Sequence, residues 1–145
     1  MKNVRKSALV HHSAGQMFDL VNDVESYPEF LPWCRSTRVF EVTDTHMRAQ
    51  VEMAVGTLTR TFSTRNTLSP PERIELSLLH GPFRHLHGEW RFDALSEQAC
   101  KVNLEVSFEV SNRLLSTVLT PAFEKICNSL VAAFTTRADR IYGRR

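Results

Sequence analysis

Hydrophobic and polar positions alternate through the middle of this chain and recur at helical spacing at its end. The clearest alternation runs from Lys101 to Val110. Val102, Leu104, Val106, Phe108 and Val110 share one face, and Lys101, Asn103, Glu105, Ser107 and Glu109 share the other. A strand so patterned buries one face and wets the other. Weaker alternation predicts strands at 3–10, 35–43, 46–55, 58–68, 73–80 and 86–95. Turn-type residues separate them at roughly ten-residue spacing: Thr43-Asp44-Thr45, Gly56, Pro70-Pro71, Gly81-Pro82 and Ser96-Glu97. That spacing signals an antiparallel meander.

Two helical patterns interrupt and close the series. Ser13-Ala14-Gly15-Gln16 reads as a capping box, with Met17, Phe18, Leu20 and Val21 following at helical steps. The pattern stops at Asn22-Asp23, and a second short helical segment is expected over 24–30, with Pro28 in its first turn and Pro32 beyond its end. Asn112 is a good N-cap for a last helix from about Arg113 to Tyr142. Its apolar stripe comprises Leu115, Val118, Leu119, Ala122, Phe123, Ile126, Leu130, Ala133, Phe134, Ala138 and Ile141. Pro121 should kink this helix, or restart it with Thr120 as cap. The order of strand, two short helices, six strands and a long helix predicts an α+β fold over residues 1–145. A meander this long curls, and a helix with one apolar stripe buries it in the concave face. Space between the two is expected wherever the curvature exceeds what side chains fill.

Composition keeps this picture within ordinary globular proteins: 145 residues, 42% hydrophobic and 23% charged. A chain of this length buries roughly 70% of its unfolded surface, so a cavity is tolerable. The formal charge of +2 is too small to argue for nucleic acid by itself, and DNA is not an expected partner. Arg137, Arg140, Arg144 and Arg145 crowd the C-terminus, and Lys2, Arg5 and Lys6 the N-terminus. Such charge complements a helix dipole, or else meets an anionic partner such as RNA or a phospholipid surface. Cys34, Cys100 and Cys127 are odd in number and lack CxxC spacing, so neither a disulfide framework nor a zinc site is expected, and a reducing compartment is. With no signal-peptide pattern and no run of about 20 apolar residues, a cytoplasmic protein is expected, touching membranes at most transiently.

Several segments together resemble one family. They are Gln16 to Cys34 (QMFDLVNDVESYPEFLPWC), Thr61 to Leu68 (TFSTRNTL), Gly81 to Phe92 (GPFRHLHGEWRF) and the closing helix. They resemble the RatA-type ribosome association toxins and the related mitochondrial coenzyme Q-binding proteins, within the START-like polyketide cyclase/dehydrase superfamily. The resemblance covers essentially the whole chain and is nearer the bacterial type. It implies the helix-grip fold, a curved sheet of about seven strands wrapped around the long helix. It also implies two activities: binding of ubiquinone or a similar prenylated lipid in support of respiration, and association with the large ribosomal subunit that hinders subunit joining. No cofactor is required in either. One departure is Trp33, where a small residue such as glycine is more familiar; a tryptophan there plugs or enlarges the apolar rim.

Four sets of residues are candidates for function. Tyr27, Pro28, Phe30, Leu31, Pro32 and Trp33 form an apolar, proline-bounded rim, which either closes the core or gates a pocket. The Gly81–Phe83 turn would share control of access. Phe62, Trp90, Phe108, Phe123, Ile126, Leu130 and Phe134 should face the space between helix and sheet, as an ordinary filled core or as the wall of an apolar pocket. Arg60 and Asn66 share strand parity with Phe62, so either can supply a donor to a quinone head, whereas Arg65 has the opposite parity. His80, His85 and His87 lack further metal ligands nearby in sequence and read as solvent-facing hairpin residues. Glu89 and His80 can be cast as acid and base, but nothing in their spacing supports catalysis. Arg137, Arg140 and Arg144 are the candidates for a ribosomal contact.

Overall fold

The computed structural model describes residues 1–143. The chain runs β1 (Lys2–Val10), α1 (Ala14–Asn22), a 3-10 helix (Val24–Glu29), β2 (Cys34–Phe40), β3 (His46–Val55), β4 (Leu58–Ser69), β5 (Arg73–His80), β6 (Phe83–Ser96), β7 (Ala99–Val110) and α2 (Arg113–Tyr142). The seven strands form one antiparallel sheet in the order β1-β7-β6-β5-β4-β3-β2. Register shifts between Cys34 and Ser36, Ser63 and Thr64, Phe83 and His85, and Ala94 and Ser96 interrupt the ladders. Bulges of this kind bend a strand and increase its twist, which curls a long sheet.

β1 and β2 are the opposite edges of the sheet, so residues 11–33 must travel from one edge to the other. α1 and the 3-10 helix make that journey. α1 begins as its sequence dictates: the Ser13 hydroxyl accepts from Gln16 N at 3.0 Å, and the Gln16 side chain accepts from Ser13 N at 3.0 Å. The next segment winds as a 3-10 helix with Pro28 inside it, not in its first turn, and Phe30 ends it at φ −141°. β2 is shorter than the alternation suggests, because Glu41 takes a positive φ of 50° and leaves the ladder.

α2 runs unbroken through Pro121, so no restart occurs at Thr120. The Thr120 hydroxyl lies 2.7 Å from that of Ser116. Asn112 caps the helix, accepting from Leu114 N and Leu115 N. The buried face is narrower than the apolar stripe and slightly rotated from it. Leu119, Phe123, Ile126, Cys127, Val131, Phe134 and Ala138 are buried, whereas Val118 and Ile141 are more than half exposed. Cys127 and Val131 replace them because α2 lies against β1, β7 and α1 rather than centrally on the sheet.

Candidate functional site

The concave face of the sheet and α2 enclose an apolar cavity of about 110 Å³. Its wall draws on most of the fold. Val51, Phe62, Leu76 and Trp90 come from the strands, Phe123, Ile126, Leu130 and Phe134 from α2, and Tyr27 and Trp33 from the crossover. Gly88 faces inward between Leu86 and Trp90 on β6, and lacks the side chain that would otherwise fill part of the space. A Cβ there would stand 3.2 Å from Leu76 Cδ1.

Polar groups on this wall are few. Thr64 and Asn66 are buried neighbours on β4, and the Thr64 hydroxyl donates to Asn66 Oδ1 at 2.7 Å. The Asn66 amide nitrogen is left as a donor. Trp33 is half-buried, and its indole Nε1 is buried with no hydrogen-bond partner among the described residues. A buried N–H without a partner costs about 1–3 kcal/mol, so a ligand that accepts from it recovers part of that energy. Two lining residues therefore offer donors in an otherwise apolar wall.

The crossover beside the cavity is fastened by specific contacts. The Tyr27 hydroxyl donates to Val21 O. Burial, reinforced by the charges of Cys34 and Asp23, pushes that hydroxyl's pKa upward, so it remains a donor across the ordinary pH range. Tyr27 and Phe30 both meet Phe134 edge-on, at 5.4 and 5.2 Å between ring centroids. The Arg137 guanidinium sits 4.9 Å over the Phe30 ring and bonds Glu29 Oε1 at 3.1 Å. The 3-10 helix is thus latched onto α2.

The sequence-predicted residues separate in space. Trp33, Phe62, Asn66, Trp90, Phe123, Ile126, Leu130 and Phe134 line the cavity. Phe30 does not; it is spent on the latch with Arg137 and Phe134. Leu31 is 1% exposed and belongs to the filled core. Phe108 is fully buried behind the wall, 4.8 Å from Phe123. Arg60 shares the parity of Phe62 but sits near the hairpin end of β4, where its guanidinium bonds Thr59 O and stays in solvent. Phe83 is buried among Phe62, Phe108 and Phe123, so the Gly81–Phe83 turn is anchored rather than free to gate. Gly81 permits this packing, because at φ +151° a Cβ there would fall 2.6 Å from Phe62 Cβ.

The charged candidates are also redistributed. The Arg137 side chain is only 16% exposed and faces Glu29, which removes it from an external basic edge. Arg140 is exposed. Arg144 lies outside the described residues. His85 is half-buried against the Ser107 hydroxyl at 3.0 Å, and His87 lies 3.6 Å from Glu75, so the hairpin histidines are partly engaged.

One feature of the core gave no signal in the chain's periodicity. His12 is fully buried, with Nε2 2.7 Å from Asp139 Oδ1. It ties the end of β1 to the last turns of α2. Only its position beside a capping box marked it in sequence, and a lone histidine there has no distinguishing pattern.

Comparison with known proteins places these features in context. The family model described as polyketide cyclase / dehydrase and lipid transport matches residues 10–135. The ribosome association toxin RatA of Pseudomonas aeruginosa is 45% identical over 97% of this chain and 98% of its own length. A mitochondrial coenzyme Q-binding protein homolog of Xenopus laevis is 31% identical over 97% of this chain, which spans 59% of that protein. Among solved structures, the Zhui aromatase/cyclase from Streptomyces sp. R1128 superposes with a TM-score of 0.83 at 19% identity, covering 96% of this chain and 94% of the other. That last likeness establishes the fold alone.

Proposed function

Because the chain belongs to the polyketide cyclase / dehydrase and lipid transport family, we propose that it binds an apolar ligand between its sheet and α2 without transforming it. The ligand class is an isoprenoid quinone of the ubiquinone type, or another prenylated lipid carrying carbonyl or ether oxygens, and the role is support of respiration. The observation that carries this reading is an apolar cavity lined by Trp33, whose buried indole N–H has no hydrogen-bond partner among the described residues, and by Asn66, whose amide oxygen is taken by Thr64. Oxygen acceptors on a quinone ring match donors, and a prenyl chain matches the rest of the wall.

The cavity's size refines the proposal. An engineered apolar cavity of about 150 Å³ accepts one benzene ring. By that measure the space here, about 110 Å³, takes about four carbon-sized groups. A whole prenylated quinone is larger, so most of it would require the wall to move. The latched 3-10 helix, like α2, is wall that lies outside the strand ladder. Native mass spectrometry of the purified protein with a short-chain ubiquinone tests the proposal. Retention of one quinone per chain is expected, and absence of retention at saturating ligand would refute it.

A second reading is association with the ribosome, by contact with its large subunit and hindrance of subunit joining. It is favoured by the RatA relative that matches nearly end to end. Co-sedimentation with purified ribosomes tests it. This activity would use the exterior and quinone binding the interior, so one chain can support both.

A further inference from the structure

The outer face of the sheet is not uniform in charge. Across β5, β6, β7 and β1 its arginines are matched with carboxylates. Arg73 lies 2.5 Å from Glu75 and 2.9 Å from Glu89. Arg91 reaches Glu89 at 3.7 Å, Arg5 reaches Glu105 at 3.5 Å and Arg84 reaches Glu109 at 3.3 Å.

Across β2, β3 and β4 this matching is incomplete. Val39, Met47 and Ala49 pack inward beneath Val24 and Tyr27, so their strand neighbours Arg38, Phe40 and Arg48 face outward. The register sets Arg48 directly opposite Arg65, and Arg38 opposite Gln50. Like charges directly opposite destabilise an antiparallel pair. Arg48 is relieved by Glu41 at 3.3 Å. Glu52 is 3.9 Å from Arg35, and Glu75, diagonal to Arg65 on β5, is engaged by Arg73. Arg38 and Arg65 have no carboxylate within 4.0 Å among the described residues. The Arg38 guanidinium instead lies 5.4 Å over the Phe40 ring, which is 40% exposed.

We infer that the outer face of β2–β4 is a docking surface for single-stranded or looped RNA. Three arginines on three adjacent strands, Arg48 directly across from Arg65 and Arg38 one diagonal step from Arg48, form a strip suited to a phosphate backbone rather than to a point charge. Phe40, held at the surface beside a guanidinium, offers a plane on which a base stacks. Gln50, Ser63 and Thr67 lie on the same face with hydrogen-bonding side chains. A lipid surface would call for a contiguous apolar patch, and this face has one aromatic ring. The inference rests on the second reading for its biological partner, and it puts the contact on the sheet, not on the C-terminal helix.

The test uses the full chain, a fluorescent 20-nucleotide single-stranded RNA of mixed sequence, and purified ribosomes. Arg38→Gln/Arg65→Gln removes two charges at exposed positions. Loss of two phosphate contacts should flatten the log–log salt dependence of RNA binding by about 1.4 and weaken binding about 20-fold at 0.1 M salt. Arg38→Lys/Arg65→Lys should retain most of the affinity, and Arg5→Gln/Arg91→Gln on the paired half should leave it unchanged. RNA binding equal to wild type in the double Gln variant would overturn the inference. So would stronger dependence of phosphatidylglycerol vesicle binding than of RNA binding on the same two arginines. If the wild type does not sediment with ribosomes, the second reading itself fails. If it sediments and the double Gln variant sediments equally, only the assignment to this face fails.

Discussion

Leu130→Trp puts an indole into the cavity from the α2 side. Leu130 is half-buried and lines the space. Enlarging a side chain in a filled core costs about 1–3 kcal/mol. Here the added ring enters a void of about 110 Å³, so the variant should fold with stability within about 1 kcal/mol of the parent. Ligand binding should suffer much more. About four enclosed carbon groups at about 0.8 kcal/mol each contribute about 3 kcal/mol, or roughly 200-fold in Kd. Isothermal titration with a short-chain ubiquinone measures this, and thermal melting checks that the variant is folded. Leu76→Phe approaches the same space from β5 and should weaken binding in the same direction. Unchanged affinity in folded Leu130→Trp and folded Leu76→Phe would show that the ligand does not use this cavity.

Asn66→Leu removes a donor from the wall and should weaken a quinone by about 5–10-fold while sparing a plain prenyl hydrocarbon; equal effects on both ligands would argue against an oxygen contact. Arg137→Ala removes the guanidinium from Phe30 and Glu29, for a loss of about 1 kcal/mol and about 3 °C in Tm by calorimetry. The same variant should release bound quinone faster, whereas Arg140→Ala should change neither. Burial pushes the thiols of Cys34 and Cys100 up to about 11 and that of Cys127 up to about 12. Thiols of raised pKa stay protonated in the fold while an unfolded chain ionises near 9, so stability is complete below pH 9 and is lost as pH rises toward 12. Between pH 8 and 10.5 Cys127 alone accounts for about 2 kcal/mol, seen as a falling denaturant midpoint that Cys127→Ala should flatten; an unchanged slope would contradict its burial.

Period and punctuation determined most of the elements by themselves. Period-2 alternation placed all seven strands close to their observed bounds, because one face of each is dry and the other wet. Ser13, Gln16 and Asn112 announced two helix starts, since capping is a local hydrogen-bond problem that a few residues solve. Family membership was legible for the same reason: it is carried by the collinear order of short motifs. The outward parity of Arg65 and the inward parity of Asn66 followed from counting along β4.

Tertiary structure decided what parity and composition leave open. Phe108 and Phe62 both point inward, yet one is packed solid and the other borders empty space, because α2 covers the sheet off-centre and curvature sets where the gap falls. Arg60 has inward parity but lies near a hairpin end, where its long side chain reaches solvent. Arg137 has the sequence context of an exposed basic edge, but α2 passes the 3-10 helix, where Phe30 and Glu29 capture it. Arg48 and Arg65 are 17 residues apart by number, and only strand register brings them face to face. Local sequence sets which residues can be inside or outside; pairing between distant segments sets which of them meet, and both the cavity and the unmatched arginines are products of that pairing.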